Sequence, residues 1–191
     1  IYYISGNNEA TLKNSPLLES FKAKGLEVLI MDEEIDTIVM PTVSEFDKTP
    51  IKPINPSDVD DEIGEKKEID ESKFASLLTK MREVLKDEVK DVKLSRRLNE
   101  SPTCLIYDKN DPDFAMQEML KQMGQSNLPK IKPILEINPN HEIFEKLTQK
   151  EASIYEVAEL LLDMAKLNEG INLENPAKFS QNLSKLIAKS L

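Results

Sequence analysis

The chain has 191 residues, a net charge of -10, one cysteine and one histidine. That length suits one medium domain or two small ones, no apolar run approaches the roughly 18 residues needed to span a membrane, and the acidic balance argues against a general nucleic-acid surface, which needs clustered Lys and Arg. A lone Cys104 forms no internal disulfide, which fits a reducing, cytoplasmic setting, and a chain that opens on Ile1 already reading as a strand is expected to be a piece of a longer protein.

Residues 1–54 read as an alternating α/β unit. Ile1 to Ile4 is a short apolar strand ended by Ser5-Gly6. Glu9 to Ala23 carries a helical pattern, with Leu12, Leu17, Leu18 and Phe21 toward one face and Pro16 starting its main turn. Gly25 is a helix stop, and Leu26 to Met31 is a continuous apolar run of the kind that buried parallel strands show. A second helix is expected near Glu33 to Met40, interrupted by Pro41. Strand, helix, strand, helix implies a small right-handed βαβ layer. Its first turn, Ser5-Gly6-Asn7-Asn8, lacks the glycines that admit a phosphate, so the unit reads as structural.

Residues 55–73 hold eight Asp or Glu against three Lys, about half of the net charge. Low hydrophobicity and like charge predict an extended acidic linker, whose last residues start the next helix.

Residues 74–191 then read as an α+β domain. A helix is predicted over Ser72 to Leu85, with Phe74, Leu77, Leu78, Met81 and Leu85 at helical spacing. Val89 to Leu98 and Thr103 to Tyr107 are strands, with Asn99 to Pro102 as a hairpin turn between them, and Ile134 to Ile137 is a third strand. A helix over Pro112 to Met123, capped by Asp111 and stopped by Gly124, lies between the last two. The end is helical: Glu142 to Leu147, Ile154 to Leu167, and Pro176 to about Lys189.

Chemistry is sparse. His141 lies in a turn leading into a helix, and one His with one Cys cannot supply the three or four ligands of an ordinary zinc site. Five scattered glycines make neither a phosphate loop nor a dinucleotide fingerprint, and no carboxylate pair stands out as acid and base. The residues therefore point to no catalytic, cofactor-binding or metal site.

Two apolar surfaces ask for partners. The C-terminal helices carry Ile154, Val157, Leu161 and Met164, then Phe179, Leu183, Leu186, Ile187 and Leu191. Either the pair packs on its own sheet, or a second copy covers it as a four-helix bundle; the pattern alone leaves both open. The second surface is the helix before Gly124, where Met116, Met119, Leu120 and Met123 share one face and Phe114 precedes them. A flexible, polarisable methionine stripe suits a surface that accepts many shapes, and it also suits a core.

Several segments resemble the heat-shock-protein-90 family in its bacterial form. Val89-Lys90-Asp91-Val92-Lys93-Leu94-Ser95-Arg96-Arg97-Leu98 with Ser101-Pro102 is similar to a long family signature, and Ile137-Asn138-Pro139-Asn140-His141 is similar to its LNPxH segment with Ile for Leu. Ile1 to Ile4, Ser15-Pro16 and Gly25 to Leu29 are similar to its middle-region βαβ. The resemblance implies an ATP-driven, homodimeric stress-response chaperone for unfolded or partly folded clients, with residues 1–54 ending its middle region and 74–191 forming its dimerisation domain. It implies that ATP and Mg belong to the full-length protein outside this segment, which then has no ATPase site or cofactor of its own. It also implies a dimer through Ile154, Val157, Leu161, Met164, Phe179, Leu183, Leu186 and Ile187, and client contact through Phe114, Met116, Met119, Leu120 and Met123. A purely structural dimer clamp, with clients held elsewhere, is the alternative. Neither nucleic acid nor membrane is an expected partner.

Overall fold

In a computed structural model, residues 1–59, 69–109, 111–124, 131–150 and 153–190 are described. The N-terminal strand β1 (Tyr2–Ser5) pairs in parallel with β2 (Val28–Met31), Tyr2 opposite Val28 and Ser5 opposite Met31. The connection predicted as one helix is broken into α1 (Glu9–Lys13), a 3-10 turn at Pro16–Leu18 and α2 (Glu19–Ala23). Proline lacks the N–H that would continue α1 and pushes the residue before it out of the helical region; Ser15 accordingly sits at φ -61, ψ 132 and caps the turn instead. Gly25, at φ 65, closes α2 as expected.

Strand β2 is not the buried strand that its apolar run predicts. It lies at the edge of the sheet, Val28 and Ile30 pack on the core, and Leu29 is 46% exposed. The second helix is shorter than predicted, α3 (Asp36–Val39) running into a 3-10 turn at Met40–Thr42 where Pro41 stops it. A small hairpin of β3 (Glu45–Phe46) and β4 (Thr49–Pro50), turned by Asp47 and Lys48 at positive φ, leads to β5 (Lys52–Pro53) on the other side of β1.

The second sheet corrects the expected hairpin. After a 3-10 turn at Glu71–Phe74 and α4 (Ala75–Leu85) come β6 (Asp91–Leu94), β7 (Thr103–Ile106) and β8 (Ile134–Ile137). Their order is β6-β8-β7: β8 separates the two strands, parallel to β6 and antiparallel to β7. The chain leaves the sheet at Ser95, whose Oγ accepts from the N–H groups of Arg97 and Leu98, turning Arg97 inward instead of back along β6. Both β7 and β8 are buried along their whole length.

Helices α6 (Glu142–Gln149) and α7 (Ile154–Asn168) follow, then α8 (Pro176–Ser190). The main core joins Met81 and Leu85 of α4, Val92, Leu105, Leu135 and Ile137 of the sheet, Phe144 of α6 and Ile154, Leu161, Leu162 and Ala165 of α7. The Asn-Pro-Asn-His segment after β8 has a structural explanation. Asn138 is buried, donates to the carbonyls of Pro102 and Ser101, and accepts from Asn140 N–H; His141 Nδ1 caps α6 by accepting from Ile143 N–H at 3.2 Å.

A second core runs between the two sheets. Ile4, Leu12, Leu17, Phe21, Ile54 and Val59 pack with Leu98, Cys104, Ile106 and Ile134. The first residues of the expected extended linker are therefore packed: Ser57 N–H donates to Tyr107 O at 2.9 Å, Tyr107 N–H donates to Asn55 O at 3.2 Å, and Val59 is 4% exposed. The acidic stretch at 60–68 lies outside the described residues. Polar contacts tie the same seam. Arg97, 1% exposed, lies beside Glu136 at 3.3 Å and donates to the carbonyls of Ile54 and Pro56 at 2.9 and 3.1 Å. Glu19 of α2 accepts from the N–H groups of Asn99, Glu100 and Ser101 at 2.6 to 2.9 Å. Burial alone would push the Glu19 carboxyl up; hydrogen bonding from the Ser101 side chain and then from these backbone N–H groups outweighs it and holds the group below its ordinary range.

Candidate functional site

The methionine stripe lies on α5 (Phe114–Gln122). Its cap is Asp113, two residues later than predicted: Asp113 Oδ1 accepts from Met116 N–H at 2.9 Å. Gly124, at φ 85, lies just beyond the end of the helix. None of the helix is buried: Phe114, Met116, Met119 and Leu120 are partly exposed, and Met123 beyond the helix is 64% exposed. Helix α3 packs beside α5 and presents Ile35, Ile38 and Val39, which are all exposed. A trough of about 590 Å³, lined by Met40, Pro53, Tyr107, Pro112 and Met116 among others, lies between the two. The part played by α3 is not legible in the sequence, because its few residues show too little periodicity to reveal an outward apolar face.

The C-terminal pair divides differently from the expected interface. Ile154 and Leu161 are 0% and 1% exposed within the single chain, so they belong to its own core and offer a partner no surface. The cause is α7's all-round apolarity: its inner side fills the space over β7 and α4. Val157 and Met164 remain half-buried. On α8, Phe179 and Leu186 are half-buried, whereas Leu183 and Ile187 are 38% and 51% exposed; Leu191 lies outside the described residues. Exposed ion pairs, Lys178 with Glu159 and Lys189 with Glu156, both at 2.6 Å, link α8 to α7. Tyr155 of α7, 53% exposed, was missed because it sits on the polar side of the predicted stripe.

A cavity of about 110 Å³ sits where these parts meet. Its polar lining includes Asn7, Asn8, Asn55, Asp113, Asn168 and Glu169. Asn55 Nδ2 donates to Asp113 Oδ2 at 2.6 Å, while Glu169 Oε1 is buried without a hydrogen-bond partner. Burial and then the charge of Asp113 raise the Glu169 carboxyl to about 8, against the opposing charge of Arg97. Burial also raises Asp113, against its hydrogen bonds from Met116 and Asn55. The cavity adjoins the end of β1, where a parallel α/β layer often holds phosphate. Two carboxylates and no Lys or Arg line it, so its charge does not fit a nucleotide phosphate. Among the described residues, no group of three or more His, Cys, Asp and Glu is arranged to hold a metal, and no helix is long and apolar enough to cross a membrane. Cys104 is buried, with Sγ 3.7 Å from Glu136 Oε2.

Comparison with known proteins adds the relationship. The family model described as "Hsp90 protein" matches residues 1–191. A "Chaperone protein HtpG" of Campylobacter jejuni (strain 81-176) is 49% identical over 190 residues, covering all of this chain and 30% of the relative. That of Aliarcobacter butzleri is 47% identical over 198 residues, covering all of this chain and 31% of the relative. That of Treponema pallidum is 39% identical over 196 residues, covering 99% of this chain and 31% of the relative. The chain thus spans about 30% of the length of these curated relatives.

Proposed function

Since the chain belongs to the Hsp90 protein family, we propose that it is the homodimerisation and client-contact part of an ATP-dependent chaperone. The observation that carries the client role is the methionine stripe: Met116, Met119, Leu120 and Met123 lie at a surface, beside the exposed apolar residues of α3. Exposed apolar area of this kind, made of adaptable side chains, suits unfolded or partly folded polypeptides. A purely structural clamp would be better served by a stripe buried within the chain. The dimer role rests on Val157, Met164, Phe179, Leu183, Leu186 and Ile187, which keep apolar area at the surface of α7 and α8. In the full-length protein, residues 1–54 would end a middle region, 55–73 would join it to the rest, and 74–191 would form the dimerisation domain. Nucleotide, with the Mg²⁺ that accompanies it, would be held outside this chain, since the acidic lining of the junction cavity is unsuited to its phosphates.

Two substitutions separate the roles. Met119→Ser with Leu120→Ser is expected to weaken suppression of client aggregation by the full-length protein and to leave its dimer intact; undiminished suppression would remove the stripe from the client role. Leu183→Asp with Ile187→Asp is expected to lower the solution mass of the chain from near twice 21.7 kDa to one copy. A wild-type chain that is monomeric from nanomolar to micromolar concentration would defeat the dimer reading.

A further inference from the structure

The junction cavity is assembled from three separate parts of the chain: the turn after β1 with Asn7 and Asn8, the cap of α5 with Asp113 and its partner Asn55, and the end of α7 with Asn168 and Glu169. The side-chain acceptors of this lining are all oxygens, two of its side chains are carboxylates, and no Lys or Arg lines it. Glu169 Oε1 is shut off from solvent with no hydrogen-bond partner, which is costly for a carboxylate unless a proton or a bound cation neutralises it. Arg97, whose charge reaches Glu169, is committed elsewhere, to Glu136 and to the carbonyls of Ile54 and Pro56. Asp113 is already oriented: Met116 N–H takes one oxygen and Asn55 the other, and each oxygen keeps a further lone pair. The C-terminal end of α7 adds the negative pole of a helix 15 residues long.

Carboxylate and amide oxygens without nitrogen or sulfur ligands select hard cations over transition metals. A volume of about 110 Å³ holds one such ion with a few of its waters, at roughly 30 Å³ per water, or the end of one ammonium-bearing side chain. We propose that this cavity binds a single small cation between Asp113 and Glu169. Bound there, the cation joins the start of α5 to the end of α7 and to the turn after β1. It thereby fixes the methionine-bearing helix relative to the helix that leads into α8. The proposal is independent of whether α5 contacts clients.

The test is calorimetric titration of the chelator-treated 191-residue chain with CaCl₂, MgCl₂ and methylammonium chloride, each at constant ionic strength. Saturation at one equivalent by a divalent cation, weakened at least tenfold by Glu169→Gln and by Asp113→Asn but unchanged by Asp87→Asn, is the expected result. Asn is itself a good helix cap, so Asp113→Asn keeps α5 folded and serves if Glu169→Gln does not fold. Asp87 is exposed and controls for the loss of one negative charge. Saturation by methylammonium alone, with the same response to the variants, assigns the cation to an amine such as a lysine side chain. Heats that never saturate, or that are the same in all variants, would show diffuse screening of an acidic chain and overturn the proposal.

Discussion

Replacing Glu169 by Gln, in chelator-treated buffer, is expected to stabilise the fold at neutral pH. The carboxyl titrates at about 8 in the folded chain instead of 4.5, first because it is buried and then because Asp113 repels its charge, with Arg97 offsetting part of both. Between those two values the unfolded chain has released the proton and the folded chain still holds it, so stability falls as pH rises. At about 1.4 kcal/mol per pH unit the loss is about 3 kcal/mol at pH 7 and levels off near 5 kcal/mol above pH 8. Against total stabilities of about 5–15 kcal/mol this is a large effect. Gln has the same shape, does not titrate, and leaves the same buried position short of a partner, so the hydrogen-bond deficit cancels in the comparison. Urea titrations followed by far-UV circular dichroism at pH 4, 5, 6, 7 and 8 measure the difference directly. The variant should match the wild type at pH 4 and exceed it progressively above pH 5. Parallel stability profiles for the two proteins would refute the assignment of a proton to buried Glu169.

Arg97→Ala should cost about 3–5 kcal/mol in the same urea assay, because it strands the Glu136 charge in the core and removes the donors to Ile54 and Pro56; a loss under about 1 kcal/mol would mean that water replaces the guanidinium. Glu19→Gln should cost about 1–3 kcal/mol near pH 7 by weakening the acceptor of three backbone N–H groups. Since the Glu19 carboxyl is held below 4.5, its contribution is complete above that pH and is lost as pH falls through the lower folded value, so the gap to the wild type should close in acid. Gly170→Ala should cost about 1–2 kcal/mol through its positive φ of 73 alone, since the added methyl meets only Thr11 Cγ2 at 3.7 Å; a neutral thermal shift would mean that the turn relaxes.

The elements read most clearly from sequence were those whose apolar pattern and stop signals agreed. Ile134–Ile137 and Pro176 onward fall where expected, and Gly25 and Gly124 each mark a helix end. Elements went astray where one local signal stood for a tertiary decision. Asn99 to Pro102 has good turn residues, yet Ser95 turns the chain off β6 before them, and β8 takes the central place from more than thirty residues away in sequence. Pro16 permits a helix start in isolation, but Ser15 in the extended region makes a break of it. The apolar stripe on α7 named the right helix but not its faces, because a helix apolar nearly all round does not say which side is inside; Ile154 and Leu161 turned inward. The junction cavity was invisible, since Asn55, Asp113 and Glu169 are single polar residues at helix ends and in loops, and only the fold brings them together.

The strand order β6-β8-β7 also sets a schedule for synthesis. When residues 91–106 leave the ribosome, β6 and β7 have no hydrogen bonds to offer one another in the final arrangement, and the central place stays vacant until residues 134–137 arrive. At roughly 5–20 residues per second that interval lasts a few seconds, with two strand edges and the apolar residues of α4 lacking their final cover. The nascent chain thus passes through a stage in which its own unpaired strand edges invite aggregation.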